Sequence, residues 1–360
     1  MDKSRNILLW IPTALYGMAV GVRNFAFDKG ILKSWSSEIP TICIGNLSVG
    51  GTGKTPHIEL LISLLISDYK VAVLTRGYGR KTKKPIIATI EDDANRIGDE
   101  PYQIKRKYPN VMVYVDGDRR RALKKMEAMP PEERPDVVLM DDGFQHRSVT
   151  PSYSILLTPY HKPYYKDYLM PYGRLRESRK EAVRAETIIL TGTPRTVNIN
   201  EKRLKIENLQ ALAYQDVLSS YIKYDSPRCL FEREERSTHE QLRQDSDIQV
   251  VSGIADPSAF QRACKASFPK VVDYITYPDH HDFTKEELDI MVNDLESDPS
   301  LFILTTEKDG MRFLAHKTWI PESVRGRIWI LPISIDMDVD DKINLLRKAK
   351  RAIKFNGLPL

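Results

Sequence analysis

The segment SVGGTGKTP, residues 48–56, constrains this chain more than any other. It follows an apolar run, TICIGNL (41–47), and leads into a helical pattern that starts at Pro56. A strand, a glycine-rich turn, a Lys-Thr pair and a helix in that order form a phosphate cradle. Backbone N–H groups of Ser48, Val49, Gly50, Gly51, Thr52 and Gly53, with the helix N-terminus, point at phosphate oxygens. Lys54 then reaches the β- and γ-phosphates and Thr55 ligates Mg²⁺. Pro56 suits a first helical turn, where an N–H has no intrahelical partner. The common pattern opens with glycine where this chain has Ser48, which shifts the turn without abolishing it. A bare glycine turn needs neither the Lys-Thr pair nor the helix.

A second element fits the first. VVLMDDG (137–143) reads as a buried strand ending in Asp141 and Asp142, the form of the magnesium-binding carboxylate that accompanies such a loop. Paired aspartates can instead cap a turn, but beside a phosphate loop the metal role is preferred. ATP or GTP binding follows, and NTPase switches and kinases share both elements.

The rest of the chain alternates short apolar runs with helical patterns, which indicates α/β construction with mostly parallel sheets. Further strands are expected over 71–77, 153–159, 187–192, 249–255, 271–278, 301–309 and 328–335. Strand ends should gather the chemistry, as in open parallel sheets generally. The expected layout is an N-terminal helix (1–30), a phosphate-loop kinase lobe (31–150), a second α/β lobe closing a cleft (151–335) and a C-terminal helix (336–360). The interval 206–244 stays ambiguous.

Composition excludes little. A net charge of +5 suits an acidic substrate or an anionic membrane surface and is too small to argue for nucleic acid. The basic runs at 80–85 and 118–125 lack interleaved aromatics for stacking on bases. Cys43, Cys229 and Cys264 have no ligand spacing and read as isolated reduced thiols. Residues 6–22 carry no formal charge but reach only about 25 Å as a helix, short of a bilayer core. With Trp10, Tyr16 and flanking Arg5, Arg23, Lys29 and Lys33, a helix lying in the membrane interface is expected.

More motifs follow the strands. RGYGR (76–80) places Arg76, Tyr78 and Arg80 on a turn, and GDEP (98–101) sets Asp99 and Glu100 at a proline-started helix. DDGFQH (141–146), GRLRE (173–177), PDHHDF (278–283) and TTEKD (305–309) complete the set. Taken together, in this order and spacing, they resemble the tetraacyldisaccharide 4′-kinase family of lipid A biosynthesis across nearly the whole chain. That family also has Thr or Ser where Ser48 stands.

The resemblance implies two α/β/α lobes and ATP-dependent phosphorylation of the 4′-hydroxyl of a lipid A disaccharide 1-phosphate, giving lipid IV-A. It also implies a monotopic enzyme on the cytoplasmic face of the bacterial inner membrane, with no obligate protein partner. Lys54 and Thr55 then hold phosphates and Mg²⁺, with Asp141 and Asp142 supporting the metal. Asp99 and a histidine of PDHH, His280 by preference over His281, activate the acceptor hydroxyl. Arg76, Tyr78 and Glu177 line the acceptor site. The rival is a membrane-associated regulatory phosphate-loop NTPase. Proteins of that type often carry a signature lysine at the position occupied here by Val49.

Overall fold

The computed structural model describes residues 6–231, 242, 245–279 and 281–356. They fall into two compact units that interleave along the chain. Met1–Arg76, Val111–Ile222 and Ile335–Leu360 make the first, and Gly77–Asn110 with Lys223–Ser334 the second.

The sheet of the first unit runs in the order Ile333–Met337, Asp216–Tyr224, Thr187–Thr191, Tyr153–Pro159, Thr41–Asn46, Val137–Asp141, Val71–Thr75, Met112–Val115. From Asp216–Tyr224 to Met112–Val115 every neighbouring pair is parallel. The strands Thr41–Asn46, Val71–Thr75 and Val137–Asp141 are buried at every residue, as expected of central parallel strands covered on both faces. Because they run the same way, Asn46, Thr75 and Asp141 leave the sheet along one edge.

The division of the chain differs from the expected boundary after Thr150. Tyr153–Pro159 pairs with Thr41–Asn46, register Ile44↔Ile155, inside one sheet. Parallel strands need crossovers, so spatial neighbours are drawn from distant parts of the sequence. The run IWILPISI is likewise split: Ile328–Leu331 lies in the second sheet and Ile333–Met337 in the first. Pro332, between them, has no N–H to continue a ladder. The closing helix, Val339–Lys354, buries Leu345, Ala349 and Ala352 in the first unit.

In the second unit Val271–Thr276, Asp247–Ser252, Leu301–Thr306 and Ile328–Leu331 are parallel neighbours, and Arg228–Cys229 adds an antiparallel edge. Its helices pack Leu288, Met291, Leu295 and Phe313 against Val251, Ile303 and Ile330.

The N-terminal helix, Asn6–Asp28, has 23 residues and is thus about 34 Å long. No helix among the described residues is long and apolar enough to cross a membrane. Its orientation is the reverse of an ordinary surface helix. Leu8, Ile11, Leu15, Met18, Val22 and Phe25, spaced alternately three and four apart, are all exposed. Thr13, Tyr16 and Asn24 face the protein instead. Thr13 Oγ1 accepts from the Tyr172 N–H at 3.1 Å, Tyr16 donates to the Arg176 carbonyl at 2.8 Å, and Asn24 is buried.

Candidate active site

In the first unit the loop after Asn46 ends at Gly53, which caps the helix Lys54–Leu65 with φ of 82°. That left-handed conformation is open to glycine at little cost and turns the chain from loop to helix. The Asn46 side chain donates to Thr52 Oγ1 at 2.8 Å, tying strand end to loop. A second strap is GRLRE: Val49 N–H donates to the Arg174 carbonyl at 2.8 Å and Arg176 N–H to the Leu47 carbonyl at 2.7 Å. Ser48 pairs with Leu175 in an isolated bridge. The loop is thus held from both sides, and Lys54 and Thr55 stand at its helix end.

Asp141 Oδ2 accepts from Thr75 Oγ1 at 2.9 Å, joining two strand ends. Asp142 follows with φ of 48°, a conformation aspartate tolerates better than most residues. Arg176 donates to both of its oxygens, at 2.8 and 2.7 Å, and Lys54 Nζ lies 3.8 Å away. Burial alone raises a carboxyl, but the Arg176 bonds with the Lys54, Arg176 and Arg119 charges outweigh it and hold Asp142 at about 2. The structure therefore brings Ser48, Val49, Gly50, Gly51, Thr52, Gly53, Lys54, Thr55, Asp141 and Asp142 to one sheet edge. Arg176 was legible in GRLRE, but only its contacts reveal its part in the site.

Glu177 is 1% exposed. Arg184 donates to Oε2, Asn24 Nδ2 to Oε1 at 3.3 Å, and Arg23 lies 3.6 Å from Oε1. It ties the N-terminal helix to the strap that bears Arg176. Arg76, at the end of Val71–Thr75, is exposed.

His57, in the phosphate-loop helix, is buried between Gly53 and Ser220. The Gly53 carbonyl can only accept, so Nδ1–H donates to it at 2.7 Å, and Nε2 accepts from Ser220 Oγ at 2.9 Å. Burial pushes His57 down to about 4, partly opposed by the Gly53 bond. The ring is neutral when folded and titrates near 6.5 when unfolded. Between those values the unfolded chain binds more protons, so stability falls as pH falls, by at most about 1.4 kcal/mol per pH unit. Denaturant melts at pH 7 and pH 5 should show a smaller loss for His57→Gln than for the parent. Equal losses would assign the acid sensitivity to other groups, His146 (also lowered to about 4 by burial) among them.

In the second unit Gly98, with φ of 99°, caps the helix Asp99–Lys107. A Cβ there would lie 2.9 Å from the Tyr78 carbonyl, so only glycine lets the RGYGR turn sit against the start of this helix. Tyr78 itself is 66% exposed. Asp99 Oδ2 accepts from Arg312 Nε and Nη2 at 2.9 and 2.7 Å. His280 lies outside the described residues. His281 stacks on Tyr277 with centroids 4.4 Å apart, and its Nε2 is 2.8 Å from Glu287 Oε2. Glu287 also completes the capping box of helix Lys285–Ser297. His281 is thus built into the packing of its loop.

Residues 5–351 match the family described as tetraacyldisaccharide-1-P 4′-kinase. This chain belongs to that family. Curated relatives named tetraacyldisaccharide 4′-kinase agree. One from Porphyromonas gingivalis is 41% identical over 95% of this chain and 96% of its own. One from Bacteroides fragilis is 39% identical over 93% and 90%. A crystal structure of LpxK from Aquifex aeolicus in complex with ATP covers 95% of this chain and 97% of its own, with 27% identity and a TM-score of 0.71. The family's fold is therefore the fold of this chain.

Proposed function

We infer that this chain is an ATP-dependent kinase that phosphorylates the 4′-hydroxyl of tetraacyldisaccharide 1-phosphate in lipid A biosynthesis. The observation that carries the reading is the family match over nearly the whole chain. The braced phosphate loop and the αL aspartate held by Arg176 supply its nucleotide chemistry.

Lys54 and the loop N–H groups hold the phosphates in place and stabilise charge on the group in transfer. Arg176 keeps Asp142 ionised and oriented beside Lys54. The residues present fit a Mg²⁺ ion: a hydroxyl and two carboxylates are hard oxygen donors, and Asp142 stays charged down to about pH 2. Thr55, Asp141 and Asp142 would hold it, in part through water. Among the described residues no group of three His, Cys, Asp or Glu could hold a metal ion. Bound there, the ion would neutralise phosphate charge.

The acceptor oxygen bonds to the γ-phosphorus while the bond to the leaving ADP breaks, and Asp99 takes the hydroxyl proton with His280 orienting it. Arg76 and Tyr78 contact the acceptor, whereas Glu177, buried and paired with Arg184 and Arg23, supports that site through the strap rather than lining it. The deciding assay is transfer of labelled phosphate from ATP to purified lipid A disaccharide 1-phosphate. ATP hydrolysis indifferent to that acceptor would favour a regulatory NTPase.

In this reading the enzyme sits on a membrane surface, the cytoplasmic face of the inner membrane, and the exposed apolar stripe of the N-terminal helix supports it. Each large apolar side chain moved out of water is worth about 1.5–3 kcal/mol, and the outward stripe supplies a row of them. Leu15→Glu combined with Met18→Glu should release the protein from phospholipid vesicles and raise KM for lipid several-fold, with KM for ATP unchanged. Unaltered sedimentation with vesicles would move lipid binding to another surface. These substitutions test the stripe more cleanly than removing residues 1–22, because Tyr16 bonds the strap at Arg176.

A further inference from the structure

The TTEKD motif and the arginine three residues beyond it have so far no task in the reaction. Thr306 caps the helix Glu307–Ala315, accepting the Asp309 N–H at 3.1 Å and donating to Asp309 Oδ2 at 2.7 Å. Asp309, fully buried, also accepts the Gly253 N–H on Oδ2 at 2.9 Å. Its Oδ1 accepts from Arg312 Nη1 at 2.7 Å. The same Nη1 donates to the Gly253 carbonyl at 3.2 Å. The far edge of the guanidinium, Nε and Nη2, is thereby aimed at one oxygen of Asp99. The Arg312 side chain is 5% exposed.

We propose that Arg312 is a positioning residue for Asp99. The inference rests on the reading of Asp99 as the proton acceptor.

A carboxylate at the first residue of a helix can rotate about its side-chain torsions. Two N–H donors converging on a single oxygen remove that freedom. The guanidinium is itself fixed because its third nitrogen is pinned to a buried carboxylate and a strand-end carbonyl. Gly253 is part of the device: a Cβ there would lie 3.1 Å from Asp309 Oδ1 and 3.3 Å from Arg312 Nη1. Lysine cannot reproduce the arrangement, since an ammonium has no planar fork to span Asp99 and Asp309 together. The neighbouring charges are otherwise engaged. Lys308 lies 3.4 Å from Asp279 and 4.0 Å from Glu100, and Glu307 is paired with Arg228.

The test is steady-state kinetics on the full chain with Arg312→Gln, Arg312→Lys, Asp99→Asn and the double variant Arg312→Gln/Asp99→Asn. Misplacement of a reacting group by about an ångström costs up to roughly 10²-fold. Arg312→Gln should therefore lower kcat by about 10- to 100-fold with KM for ATP within twofold of the parent, and Arg312→Lys should recover part of the loss. In the Asp99→Asn background, Arg312→Gln should cost nothing further. Near-parental kcat for Arg312→Gln, or a loss that multiplies fully with that of Asp99→Asn, overturns the proposal and leaves Asp99 in its role. Near-parental kcat for Asp99→Asn overturns the Asp99 reading and this one with it. If Arg312→Gln does not fold, Gly253→Ala displaces the guanidinium without removing its charge. Its kcat should fall with KM for ATP unchanged, and an unchanged kcat counts against the proposal.

Discussion

Asp99→Ala and His280→Ala are each expected to lower kcat by roughly 10²–10⁴-fold, the range for acid–base groups. An imidazole that orients a carboxylate shares one proton transfer with it, so the double variant should be little worse than either single one. ATP binding should survive in all three, because the phosphate loop and Asp142 are held by contacts of their own. His281→Ala belongs in the same experiment. Its ring stacks on Tyr277 and pairs with Glu287, so its loss should lower the melting temperature more than kcat. Fully multiplicative losses at Asp99 and His280 would mean independent roles, and a larger kcat defect at His281 would move the histidine assignment by one residue.

Lys54→Ala should cost about 10²-fold or more in kcat, the scale seen when one donor to transition-state charge is removed. The fold should tolerate the change. Asp142 keeps both Arg176 bonds, so the substitution does not leave a half-buried carboxylate unpaired. Thr55→Ala should instead raise the Mg²⁺ concentration needed for half-maximal rate. The check is labelled-phosphate transfer at saturating MgATP beside a nucleotide-binding titration. Near-parental transfer by Lys54→Ala would remove the loop from the mechanism.

Much of this protein could be read from local pattern. The phosphate loop is contiguous, so strand, glycines, Lys54, Thr55 and helix identify one another without tertiary information. The fully buried strands are apolar runs, and the structure has a strand overlapping each of those expected. Asp216–Tyr224 is not legible locally, because its sequence, DVLSSYIKY, places serines at positions that prove buried, Ser219 and Ser220. One of those serines is the partner of His57, 163 residues away.

By itself, then, the sequence determined the fold class, the nucleotide loop, the motifs at strand ends and the family, because each is written in adjacent residues. Only the tertiary structure decided which charges meet. Asp99 finds Arg312 across 213 positions, and Asp142 finds Arg176 across 34. It also decided that the apolar stripe of the first helix faces outward while Tyr16 and Asn24 face in. The physical reason is the same in each case. A buried charge or polar group must be paired where the crossovers of a parallel sheet happen to bring a partner, and no local pattern records that meeting.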